Sequence, residues 1–392
     1  MYKTANYITR GLTFLNNQAF PGKKKLSTLM LYGTDLCNSA CKHCLIWTKR
    51  PVSYLSLDKI KEIMKSKCIT RNTTIGLEGG EFLLHPDAFE IMEWFTINHP
   101  NFDLLTNALL PEKVIEGVTK FPPRRLFISL DGDKNTYQTM RGKDGYDGII
   151  NVIEALHNKI PISVMFTLSP YNDFDDMEHV AQVCKKYDID MRIGIYNDIN
   201  FFDTVETAHK TQIGSQKGEE KLVYSTAMKM IEGSKKEKKD GPNFSPVISM
   251  EAPPLRNKMP VIINEFKENN DFITLYDNWR KGNLKLKCYS ILDSLVIYPN
   301  GDIPICQSQD FVIGNIHKNT LDEIFNSPET RAHQKEYSLN CNACWLNFHR
   351  KYDVILYRNF EKFFGRWVTR KLLGYYWWEE EKKKTYKQSV NF

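Results

Sequence analysis

"TLMLYGTDLCNSACKHC", residues 28–44, joins a short apolar run to a polar loop with three cysteines. "TLMLYG" reads as a strand, and the loop after it carries Cys37, Cys41 and Cys44 at C-x3-C-x2-C spacing. Three thiolates make an incomplete metal site. Structural zinc takes four protein ligands, and a four-iron cluster normally takes four thiolates, one per iron. One position is left open.

The same pattern, a strand running into a loop with chemical groups, recurs downstream. "TTIGLEGGE" (73–81), "FDLLTNALL" (102–110), "RRLFISLDG" (124–132), "PISVMFTLSP" (161–170) and "MRIGIY" (191–196) read as strands. Between them lie helical patterns: "SLDKIKEIMKSK" (56–67) with Ser56 as N-cap, "HPDAFEIMEWFTINH" (85–99), "PEKVIEGVTKF" (111–121) opened by proline, "YDGIINVIEALHN" (146–158) and "FDDMEHVAQVCKKYD" (174–188). Repeated β–α alternation predicts a parallel sheet with covering helices. An open doubly wound sheet and a barrel both satisfy it, and in either the chemistry gathers at the carboxyl ends of the strands. The cysteine loop, "EGGE", "TNA" and "SLDG" all follow strands directly, so one edge of the sheet brings them together.

The chain of 392 residues suits one large domain with appendages, and its 42% apolar and 26% charged content is that of a folded soluble protein. No apolar run reaches the roughly 18 residues of a membrane span, and the N-terminus reads as no signal peptide, which predicts a reducing cytosol. Nine cysteines there are ligands or buried thiols rather than disulfides. Cys68 and Cys184, alone inside helical patterns, read as buried apolar residues. A net charge of +6 permits an anionic partner without indicating nucleic acid, and none is expected.

The C-x3-C-x2-C loop after the first strand resembles the signature of the radical S-adenosylmethionine (SAM) enzymes. The resemblance implies a [4Fe–4S] cluster whose open iron is chelated by SAM. Reductive cleavage of SAM then gives a 5′-deoxyadenosyl radical, which removes a hydrogen atom from the substrate. Gly79-Gly80-Glu81 matches the family's GGE motif at the cofactor amino group, and the glycines permit close backbone approach. Asn107 in "TNA" resembles the family's TNG turn, with Ala108 in place of glycine. Ser129 and Asp131 stand where the family contacts the ribose, and Arg141 resembles the arginine that binds the cofactor carboxylate. His43 takes the place of a frequent aromatic residue beside adenine, and the role of the nearby Trp47 is open. An electron donor such as a flavodoxin or ferredoxin is implied as a partner.

Cys288 and Cys306 flank an expected hairpin with "PNGD" as its turn, and "CNAC" adds Cys341 and Cys344. Four thiolates mean zinc or a second iron–sulfur cluster. C-x12-G-x4-C followed by C-x2-C resembles the twitch or SPASM extension of this family. No cysteine follows Cys344, so the shortened form with one auxiliary [4Fe–4S] cluster is expected.

Beyond residue 356, Leu356, Phe360, Phe363, Phe364, Trp367 and Leu372 recur near helical spacing among Arg358, Lys362, Arg366, Arg370 and Lys371. Such a helix either packs on the barrel or lies on a membrane surface, peripheral to its inner face. The expected organisation is a helical, basic segment (1–27), a core barrel (28–235) with a helical stretch at 220–233, a connecting segment (236–285), a cluster module (286–348) and an amphipathic tail (349–392), with a mobile 233–245 region across the junction of barrel and connecting segment. The fold class is α/β, a partial (β/α)6 TIM-like barrel with a small C-terminal α+β iron–sulfur module. The expected substrate is a small molecule, sugar or lipid-linked compound, with a peptide as the alternative. A two-cluster electron carrier without catalysis is the non-enzyme alternative. No general base is singled out, although Asp293 and Asp302 are available.

Overall fold

The computed structural model describes residues 4–169, 171–195, 284–307, 311–341, 344–373 and 376–377, with Phe272, Leu275 and Trp279. The expected helix at 220–233 and the 233–245 region lie outside the described residues, as does most of the connecting segment.

Six strands follow the predicted order: β1 (Thr28–Thr34), β2 (Thr74–Gly79), β3 (Phe102–Thr106), β4 (Arg125–Ser129), β5 (Ile162–Leu168) and β6 (Asp190–Ile195). They pair in parallel, each with its sequence neighbour. Side chains alternate along them, as the pleat requires. Leu29 and Leu31, Ile75 and Leu77, and Leu104 are buried in the hydrophobic core, whereas Met30, Gly76, Glu78, Asp103 and Leu105 line a cavity of about 400 Å³. The sheet is thus the wall of a partial barrel.

Helix α1 (Thr4–Ala19) precedes the sheet, and its Thr9, Arg10 and Thr13 line the cavity. Helices α2 (Leu57–Met64), α3 (Ala88–Asn98), α4 (Pro111–Lys120), α5 (Lys134–Arg141), α6 (Tyr146–Leu156) and α7 (Phe174–Lys186) follow between successive strands, with α5 and α6 both between β4 and β5. Two starts are where the sequence puts them: the Ser56 hydroxyl accepts from Lys59 N at 3.3 Å, and Pro111 opens α4. Asp173 adds a capping box on α7. Helix α5 is an addition to the predicted set. Asp133 caps it and Gly142, at φ +64°, ends it, so both signals stand in "DGDKNTYQTMRG". Cys184 is buried in α7, while Cys68 is buried in the turn after α2 rather than within the helix.

The C-terminal part contains β7 (Leu284–Lys285), β8 (Ser294–Ile297), β9 (Asp302–Pro304), β10 (Val312–Asn315), α8 (Leu321–Asn326), α9 (Pro328–Asn340), α10 (Asn347–Leu373) and β11 (Tyr376–Trp377). The turn between β8 and β9 is closed by Gly301 N donating to Tyr298 O at 2.9 Å, with Gly301 at φ +85°. β8 pairs in parallel with β1 and becomes the seventh strand of the large sheet, whereas β9 pairs with β10. Asn347, at the start of α10, donates to Ile193 O of β6 at 2.9 Å, and the Ser290 hydroxyl donates to His349 O at 2.6 Å. Helix α10 therefore sits between the two edges of the sheet. Among the described residues no helix is long and apolar enough to cross a membrane.

Candidate functional site: two cysteine groups

The cysteine loop is held at both ends. Gly80 N donates to Thr34 O at 2.7 Å and Glu81 N to Leu36 O at 2.8 Å, so the end of β2 zips onto the start of the loop. A Cβ on Gly79 would lie 2.2 Å from Thr34 O, and one on Gly80 2.2 Å from Leu36 O. The close approach expected of these glycines is thus to the chain's own cysteine loop. The other end is fixed to α5: Ala40 N and the Ser39 hydroxyl donate to Arg141 O, and Lys42 N donates to Met140 O. Trp47 donates its indole N–H to Cys41 O at 3.3 Å, across the middle of the loop.

Around this loop the predicted residues converge. Glu81 is buried; its Oε2 accepts from Asn107 N at 2.7 Å and its Oε1 from the Thr106 hydroxyl at 2.9 Å. Asn107 donates its side-chain N–H to Asn38 Oδ1 at 2.9 Å and lies 3.7 Å from Cys37 Sγ. Ala108, where the family has glycine, adopts φ +55° all the same. Arg141 is buried, pairs with the wholly buried Asp131, and places Nη1 3.5 Å from Cys41 Sγ. The second Asp131 oxygen accepts from Thr167 N at 2.9 Å. Ser129 ends β4, half-buried. His43 has its Nδ1 enclosed without a hydrogen-bond partner, and burial together with Arg141 lowers its pKa to about 4. A neutral imidazole thus faces the Arg141–Asp131 pair.

Burial pushes the Cys37 thiol up to about 12 and Cys44 to about 11, and the neighbouring thiols add to both. Buried thiols of this kind become thiolates when a metal takes up their charge. Among the described residues no three cysteine, histidine or carboxylate side chains are placed to hold a single metal ion. A four-iron cube is larger than one ion and holds its thiolates further apart. Together, mutually influencing thiols, an enclosed imidazole nitrogen without a partner and glycines that exclude Cβ atoms fit a cluster and its ligand.

The second group lies under α10. Cys288 and Cys341 are buried with Ile291, Ile305 and Tyr337, and Cys306 packs against them. Cys344 lies in the same electrostatic neighbourhood. Arg350, absent from the sequence expectations, is the centre of this region. Its guanidinium donates to Leu286 O at 3.0 Å, Cys344 O at 3.1 Å and Cys341 O at 3.4 Å, and it lies 3.5 Å from Asp353. Burial opposes its charge, but Cys288, Cys344 and Asp353 outweigh that and raise its pKa. Nothing in its spacing from "CNAC" marks it; only the fold does. Gln307, beside Cys306, donates to the Tyr32 hydroxyl of β1, and Tyr32 lies in one apolar cluster with Cys37 and Cys44. The two groups share a framework. Asp293 is buried as the partner of Arg10, and Asp302 is tied to Asn300 and Asn315, so neither stands out as a proton acceptor.

Residues 31–184 match the radical SAM superfamily, and residues 288–345 match a SPASM iron–sulfur cluster-binding domain. The chain thus carries a radical SAM domain followed by a SPASM domain. SAM and a [4Fe–4S] cluster are therefore its cofactors, and its SPASM domain is the place for auxiliary iron–sulfur. The chain is 27% identical to the mycofactocin maturase MftC of Mycolicibacterium smegmatis over 41% of its own length and 42% of the relative's. It is 24% identical to the subtilosin biosynthesis protein AlbA of Bacillus subtilis over 75% of its length and 58% of AlbA's. The chain thus spans about half the length of these curated relatives. The structure of Streptococcus suis SuiB bound to SAM shares the fold, with a TM-score of 0.52 at 14% identity over 86% of this chain and 75% of SuiB.

Proposed function

We propose that this protein is a radical SAM enzyme that modifies a peptide. One observation carries the reading. The match to AlbA, named for the biosynthesis of a bacteriocin, extends over 75% of the chain and so beyond the core domain. The mycofactocin maturase supports it within the core. A small molecule, sugar or lipid-linked substrate is the alternative; the cavity of about 400 Å³ is lined by strand starts such as Thr28, Thr74 and Arg124 and by none of the cysteine-loop residues, so it favours neither class.

In this reading Cys37, Cys41 and Cys44 hold the catalytic cluster and Cys288, Cys306, Cys341 and Cys344 hold one auxiliary cluster. The cluster and SAM, when bound, supply the radical that abstracts hydrogen. The chain supplies the rest. Gly79 and Gly80 bring backbone against the cluster loop. Glu81 and Asn107 form a hydrogen-bonded rim beside Cys37, available to an ammonium group. Asp131 fixes Arg141 over Cys41, and a guanidinium there suits a ligand carboxylate. Ser129 would meet the ribose of the bound cofactor and His43 its adenine. Five apolar neighbours shield the auxiliary thiols from water, which suits a closed cluster that passes electrons. The core, the cluster module and the flanking segments follow the boundaries given above, and a flavodoxin or ferredoxin supplies the electron.

The test uses reconstituted, reduced protein, SAM and the peptide encoded by the adjacent reading frame. About eight irons per chain, release of 5′-deoxyadenosine and a mass change in the peptide are expected. About four irons would refute the two-cluster assignment. Deoxyadenosine with an unaltered peptide, but consumption of a small metabolite, would move the assignment to the other substrate class. Persistent failure to cleave SAM with both clusters intact would leave an electron carrier.

A further inference from the structure

Helix α1 is inside out. Its polar residues face the protein: Arg10 pairs with Asp293 at 3.0 Å and stacks on Tyr352 at 3.8 Å, and the Asn17 side chain bonds Lys25 O and Lys25 N. Its apolar stripe, Ile8, Leu12 and Leu15 at helical spacing, faces outward, with Leu12 62% exposed. A helix normally buries such a stripe.

Helix α10 shows the same inversion at its far end. Its first half is core, with Tyr352, Val354 and Tyr357 buried. Gly365, at φ +75° and ψ +165°, breaks the helical path. The hydroxyl of Tyr357 then donates to Leu373 O at 3.0 Å. In a straight helix those residues would be about 24 Å apart. The segment after Gly365 therefore doubles back, and its tip is Phe363-Phe364-Gly365-Arg366-Trp367. Phe363 is 73% and Trp367 71% exposed. Lys362 and Lys371 lean over the Phe363 and Trp367 rings, at 5.9 and 5.0 Å. Between residues 358 and 373 stand five cations (Arg358, Lys362, Arg366, Arg370, Lys371) and one acid (Glu361), a net charge of +4. The two inverted helices meet at Tyr289, which packs edge-on against Phe14 of α1 and donates to the same Leu373 O.

We propose that the α10 tip and the outer stripe of α1 form one docking surface for an anionic lipid bilayer. Aromatic rings at the crest enter the headgroup–acyl boundary, and the lysines and arginines around them meet lipid phosphates. A second protein copy would carry the same +4 segment to the contact, so like charge disfavours a self-associated occupant. The surface is independent of the clusters, so this inference stands apart from the substrate assignment.

The test is flotation of the full, cluster-loaded chain with vesicles of phosphatidylglycerol or of phosphatidylcholine. Binding to phosphatidylglycerol is expected, weakening as salt is raised, with at least tenfold less on phosphatidylcholine. Phe363→Asp/Trp367→Asp and Leu12→Asp/Leu15→Asp should each reduce binding at least tenfold, with iron content and SAM cleavage unchanged. Arg370→Glu/Lys371→Glu should remove the lipid selectivity. Absence of wild-type flotation, equal flotation of the variants, or a lipid-free dimer that the same variants dissociate would overturn the proposal.

Discussion

Arg141 and Asp131 form a buried ion pair with few alternatives open to either. Asp131 takes the guanidinium on one oxygen and Thr167 N on the other, and Arg141 reaches Cys41 with its remaining arm. Removing one partner leaves the other charged and desolvated, which costs about 3–5 kcal/mol. Arg141→Ala is expected to lose that much in chemical denaturation, whereas Arg141→Ala/Asp131→Asn loses less than the sum of the single changes. Glu78 gives a pH signature. Burial is the main cause that raises its pKa from the ordinary 4.5 to about 7. The folded protein therefore holds this proton where the unfolded chain has lost it, so the stabilisation is complete below about 4.5 and is lost as pH rises through about 7. Glu78→Gln should match the parent near pH 4 and exceed it by roughly 2–3 kcal/mol near pH 8. Parallel melting curves across that range check it; a constant offset would contradict it.

Among the elements, the end of β2 and the cysteine loop depend on each other. A side chain on Gly80 would strike Leu36 O, a backbone atom with little room to move. Gly80→Ala is expected to lower the melting temperature and to lower iron retained in the first cluster, while the auxiliary iron stays. The turn after α9 relies in the same way on Arg350, which holds three carbonyls around the second cysteine group. Arg350→Gln should reverse the pattern, losing about four irons from the auxiliary site while SAM still binds. Iron and sulfide assays with spectra of the two clusters separate these outcomes. Much of this level was legible in the sequence. Alternating apolar patterns marked β1–β6, and Ser56 and Pro111 marked the starts of two helices. Helix α5 escaped because it is short and polar, although its Asp133 and Gly142 caps were in view. The inside-out α1 could not be read at all: periodicity shows that a stripe exists, not which way it points.

Across the whole molecule, the N-terminus, the seventh strand and the C-terminal helix form one assembly. Arg10 of α1 pairs with Asp293 just before β8 and stacks on Tyr352 of α10. Arg10→Ala strands a buried aspartate and should cost about 3–5 kcal/mol. Limited proteolysis should then cut within residues 4–27 before the core opens. The sequence by itself determined the parallel strand–helix alternation and the order of chemical groups along it, because burial periodicity and covalent spacing are local properties. It also determined the division of seven cysteines into a group of three and a group of four. Only the tertiary structure decided that β8 joins the large sheet, that Arg350 sits among the auxiliary cysteines, and that Gln307 links that module to Tyr32 of β1. Those contacts join residues far apart in the chain, and their energy comes from desolvation and charge pairing that no local pattern records.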